Sequence, residues 1–164
     1  MKKQAPNTVD ISYLSDTIKK KVTTVFDRYF AMGLVKRAAV TEELPAFPTK
    51  MSSIDGHQLA DIHAHYTAFY GYTSDKLKYL KAVSTVLAKE LSEQYNSALL
   101  GADFPRTAKA DQIKATVKSD LAYMGVLEYV TVTTALQEMV TEERETLDKQ
   151  MMSLAREIRR RESA

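Results

Sequence analysis

Apolar residues recur along this chain at three- and four-residue steps, in three blocks divided by proline. In the first block, Ile11, Leu14, Ile18, Val22, Val25, Tyr29 and Phe30 form one stripe, the pattern of an amphipathic helix with one buried face. Asp10 or Ser12 is the expected cap, since a short side-chain oxygen accepts the free N–H groups of a first turn. The helix is expected within residues 9–40, fading from Gly33 to Ala39, after a flexible arm over 1–8. Residues 41–51, with Pro45 and Pro48, read as an extended connector because proline removes a donor and clashes with the preceding turn.

The second block opens near Ser52 or Ser53. Leu59, Ile62, Tyr66, Phe69, Leu77, Leu80, Leu87, Leu91 and Ala98 then hold nearly constant helical phase. Gly71 is its weak point, because glycine costs about 1 kcal/mol in a helix interior. A kink or short break is therefore expected there, with Thr73, Ser74 or Asp75 restarting the helix. Gly101 and Pro105 stop the block, placing a turn at 101–107.

The third block, from about Thr107 to Arg161, contains no proline. Ile113, Val117, Leu121 and Met124 begin it in phase, and the β-branched run at 130–134 predicts a local distortion. Val140, Leu147, Met151, Leu154 and Ile158 follow at heptad spacing, with Arg144 on one seam position. The expected architecture is all-α: an elongated bundle of long amphipathic helices, with residues 52–161 as its core domain. Helices this long outrun one compact core, so oligomerisation is expected to complete the bundle, through those five heptad residues.

Composition narrows the chemistry. With no cysteine, disulfides, thiolate nucleophiles and cysteine-based zinc sites are excluded. Nothing near the N-terminus resembles a secretory h-region and no apolar run reaches membrane-spanning length, so a cytoplasmic protein without membrane contact is expected. No phosphate-binding glycine loop, nucleophile elbow or HExxH motif occurs, so no catalytic residue and no cofactor is expected. His57, Asp61 and His65 share a helix face at i, i+4, i+8, but the histidines lie two turns apart and His63 points away. A solvated polar face accounts for them better than a metal. Glu138, Glu142, Glu143, Glu145 and Asp148 read as a solvated face, pairing with Arg144 and Lys149.

Residues 65–81 are the most suggestive segment. There Tyr66, Phe69, Tyr70, Tyr72 and Tyr79 interleave with Lys76, Lys78 and Lys81. Cations that neutralise phosphates beside aromatic faces that stack on bases are the elements of single-stranded nucleic-acid binding. The competing reading is that the tyrosines are core or intersubunit packing and the lysines a soluble rim. Lys114 and Lys118, one helical turn apart, add a second basic face. The net charge of +2 announces no nucleic acid, but a ring of subunits would repeat each cluster into a belt.

The run from Tyr66 to Gly71 (Tyr-x-x-Phe-Tyr-Gly), the stretch from Lys109 to Asp120 and the arginine-ended closing helix resemble phage recombination mediators of the UvsY type, over residues 55–161. Such mediators form rings, bind single-stranded DNA and load a recombinase onto DNA covered by single-strand-binding protein. The resemblance thus implies those partners, with Lys76, Lys78, Lys81, Lys114 and Lys118 as phosphate contacts and the C-terminal helix assembling the ring. Together with Tyr72 and Tyr79 these lysines make up the expected nucleic-acid site. The alternative is a helical virion, scaffold or adaptor protein that contacts protein only.

Overall fold

The computed structural model describes residues 9–33, 43–105 and 107–163. Every helix or strand assigned among them is helical: α1 (Asp16–Ala31), a 3-10 turn (Met51–Ser53), α2 (Gly56–Gly101), α3 (Ala110–Lys118) and α4 (Leu121–Glu162). The expected arm at 1–8 lies outside the described residues, as does the chain from 34 to 42, where the first helix was expected to fade.

The two long helices dominate. α2 has 46 residues and α4 has 42, so at 1.5 Å per residue they extend about 69 and 63 Å. Tyr70 meets Arg144, Ser84 meets Gln137, and the carbonyls of Met51 and Ile54 meet Arg161. Rising numbers on α2 thus pair with falling numbers on α4, and the helices form an antiparallel hairpin. The seam has a strict seven-residue period on both sides. Leu59, Tyr66, Thr73, Leu80 and Leu87 are buried on α2, and Val126, Thr133, Val140, Leu147 and Leu154 on α4. A heptad keeps one stripe facing its partner when two helices supercoil.

This seam takes up the residues expected to build an oligomer. Val140, Leu147 and Leu154 are buried, and Met151 and Ile158 half-buried, inside one chain. The heptads of α2 supply in cis the partner that sequence reasoning sought in a neighbouring subunit.

Two apolar clusters occupy opposite ends of the hairpin. At one end α1 lies across it, so that Leu14, Ile18 and Val22 pack with Tyr79, Val83, Val86, Leu87 and Val126. At the other, Leu59 and Tyr66 meet Leu147 and Leu154, covered by Leu44, Phe47, Met51 and Ile54 of the connector. The Tyr66 hydroxyl donates to the Pro45 carbonyl at 2.9 Å, and Phe47 packs edge-on to its ring. The connector is thus extended as expected, yet anchored.

Several boundaries differ from the sequence expectation. α1 is capped by Ser15, whose hydroxyl accepts from the Ile18 N–H, while Asp10 accepts from the Ser12 N–H in a preceding turn. α2 begins at Asp55, whose carboxylate accepts from the Gln58 N–H, not at Ser52 or Ser53. It runs through Gly71 without a break. The Thr73 and Ser74 hydroxyls bond back to the carbonyls of Phe69 and Tyr70 instead of capping a new helix. Packing on both sides of Gly71 outweighs its intrinsic cost. Nor do residues 130–134 interrupt α4, where Thr131, Thr133 and Thr134 each donate to the carbonyl four residues earlier.

The third block, by contrast, is divided. α3 ends at Lys118, and Asp120 accepts from the N–H groups of Ala122 and Tyr123 to start α4. Ser119-Asp120 performs a turn that contains neither glycine nor proline, which is why the proline map missed it.

Candidate nucleic-acid interface

The segment 65–81 is helical throughout, so its side chains fan around α2 instead of forming one surface. Tyr66 and Tyr79 point into the core. Tyr79 packs edge-on against Phe26 of α1 with ring centroids 4.7 Å apart. Burial pushes the phenols of both tyrosines above their usual pKa. Tyr79 is therefore corrected from a base-stacking residue to a core residue. It shares with Val83 and Val86 the face of α2 that packs on α1.

Tyr70 and Tyr72 are half-buried. Tyr70 accepts a hydrogen bond from Arg144 of α4 at 2.7 Å, and Tyr72 packs edge-on against Phe69. The Lys76 ammonium lies 4.6 Å from the centre of the Tyr72 ring and 3.6 Å from the Glu143 carboxylate. Lys76 thus spans the hairpin. Lys78 is exposed and pairs with Asp75 of its own helix at 3.2 Å. A phosphate would have to compete with these carboxylates at both lysines.

Three lysines remain uncommitted. Lys81 is exposed on α2, and Lys114 and Lys118 are exposed on α3. None makes an ion pair with another described residue. On α3 the geometry follows from sequence. Ile113 and Val117 turn inward, Val117 being fully buried, which leaves Lys114 and Lys118 one turn apart on the adjoining exposed face. The Gln112 side chain accepts from the Lys109 N–H and fixes the start of the helix. A second lysine pair therefore sits on a short, oriented element.

The carboxylates at 138–148 are solvated as expected, but Arg144 is not their surface partner. It turns into the seam, bonds Tyr70, and leaves its Nε buried with no hydrogen-bond partner among the described residues. His57 and Asp61 are exposed, and among the described residues no three histidine or carboxylate side chains gather as a metal-ligand set. No helix of the described residues is long and apolar enough to cross a membrane.

Sequence reasoning missed the anchoring role of the C-terminal arginines. Arg161 donates to the carbonyls of Ile54 and Met51 at 2.7 and 2.6 Å, tying the end of α4 to the turn before α2. Glu157 orients it by accepting from Arg161 at 2.9 Å and from Arg160 at 2.8 Å. Those two guanidiniums, Arg160 first, hold the Glu157 carboxyl down at about 2. The spacing Glu157–Arg161 was a visible signal; its carbonyl partners, over 100 residues away, were not.

No family model, curated protein or solved structure matches this chain.

Proposed function

We propose that this chain is a non-enzymatic, oligomeric accessory protein that binds single-stranded DNA in recombination or replication. The supporting observation is the exposed Lys114–Lys118 pair on α3, free of ion pairs with other described residues and supplemented by Lys81 on α2. Unpaired lysines on a rigid element neutralise phosphates without first breaking an internal ion pair, and release of counterions then drives binding. Lys76 and Lys78 are secondary contacts, since each already faces a carboxylate. Tyr72 is the one half-exposed aromatic of the expected site, and Tyr79 takes no part in it. The preference for single strands, and the roles of a recombinase and a single-strand-binding protein as partners, rest on the resemblance to the mediators.

The test is a fluorescence-anisotropy titration of labelled single-stranded DNA at low and moderate salt, with duplex DNA of equal length alongside. The expected result is salt-dependent binding with preference for the single strand. Absence of binding at low salt overturns the reading.

A second reading, a helical assembly or adaptor protein, draws on a different observation. Leu100 and Leu121 are each 88% exposed near one tip of the hairpin, and Met124, Met139 and Met152 are also exposed along α4. Large apolar side chains left in water favour a protein partner. Ordered assembly without nucleic acid bound would support this reading over the first.

A further inference from the structure

The two apolar clusters share no residue, and the seam between them mixes polar side chains with apolar ones. On α2 the intervening seam positions are Thr73 and Leu80, and on α4 they are Thr133 and Val140, with Lys76 and Arg144 half-buried beside them. Thr73 is fully buried and spends its hydroxyl on carbonyls of its own helix, adding nothing across the seam. Lys76 leans out to Glu143. Arg144 bonds Tyr70, yet its Nε is buried without a partner among the described residues. Leu80 and Val140 are buried here but belong to neither cluster. A polar layer in a helical seam sets register at a cost in stability, and an unsatisfied buried donor adds to that cost.

The two ends also differ in thickness. One has three helices, with α1 packed on α2, and eight buried residues in its cluster. The other has two helices and a connector, with four buried residues. Its outer edge is closed by Arg161 on the Met51 and Ile54 carbonyls.

From this we infer that the polar waist at Thr73, Lys76 and Arg144 is a built-in breakpoint, at which the connector end of the hairpin opens while the α1 end stays folded. Opening frees the Arg161 clamp and the connector together, and it presents Leu59, Tyr66, Leu147 and Leu154 as an apolar heptad seam. The waist confines the opening because cooperativity passes along a seam through interlocked apolar layers, and here Thr73, Lys76 and Arg144 interrupt them. The inference is independent of DNA binding.

Hydrogen exchange followed by mass spectrometry on the full chain tests it. Amides of 59–69 and 147–158 are expected to exchange at one common rate, about tenfold or more faster than those of 79–90 and 126–134. In the Thr73→Val/Arg144→Leu double variant, which replaces two of the three polar waist side chains with apolar ones, the two rates should converge. A single rate along the whole wild-type seam overturns the inference whether or not the variant folds. So does a folded variant that keeps both rates.

Discussion

Arg144 crosses the hairpin seam to Tyr70. Its Nη2 donates to the phenol oxygen at 2.7 Å while its guanidinium carbon stands 5.0 Å from the centre of the same ring. One tyrosine thus meets the cation with both its hydroxyl and its π-face. Removing only the hydroxyl, in Tyr70→Phe, should cost about 1.5–3 kcal/mol, the scale of a hydrogen bond to a charged group. Arg144→Leu loses the same bond but should cost no more than Tyr70→Phe, because an apolar side chain removes the orphaned Nε as well. Urea denaturation followed by circular dichroism measures both. A large loss of stability in Arg144→Leu would contradict this account of the waist.

For the proposed DNA interface, charge reversal should separate the two kinds of lysine. The Lys114→Glu/Lys118→Glu pair should weaken single-strand binding and shallow its salt dependence by about 1.4 in log–log slope, two phosphate contacts at about 0.7 each. Lys78→Glu should have a smaller effect, since Asp75 already offsets that charge. Anisotropy titrations over a salt series read the slope directly. An unchanged slope in the α3 double variant would remove α3 from the interface.

Tyr79 should behave as a core residue. Tyr79→Ala should destabilise by about 3–5 kcal/mol, the range for deleting a large buried aromatic. Tyr79→Phe should leave both stability and DNA affinity nearly unchanged. A selective loss of DNA binding in a stably folded Tyr79→Phe would restore the residue to the binding surface.

Acid should loosen the clamp at the end of α4. The Glu157 carboxyl is held at about 2, below its ordinary value of 4.5, by Arg160 and Arg161. A depressed carboxylate contributes stability above its unfolded pKa and loses it as pH falls through the folded one. Exchange at Met51 to Ile54 should therefore accelerate between about pH 4.5 and 2, and Glu157→Gln should abolish that pH dependence. Matched exchange profiles for wild type and variant, after correction for intrinsic rates, would disprove the coupling.

The sequence by itself determined the all-α class, the extended connector around Pro45 and Pro48, and the end of α2 at Gly101. Each follows from local chemistry: apolar periodicity, proline's missing donor and the conformational freedom of glycine. Inward-facing Val117 and outward-facing Lys114 and Lys118 were equally legible, being a matter of phase on one helix. The tertiary structure decided what the stripes meet. The heptads of α4 are a general adhesive, and only the antiparallel return of the chain shows that Leu59, Tyr66 and Leu87 supply their partner. Continuity through Gly71 was also decided by packing, because a cost near 1 kcal/mol yields to a seam that buries side chains on both sides. So was the fate of the tyrosines. Helical spacing places Tyr72 and Tyr79 near one another along α2, but only the docking of α1 buries Tyr79 against Phe26.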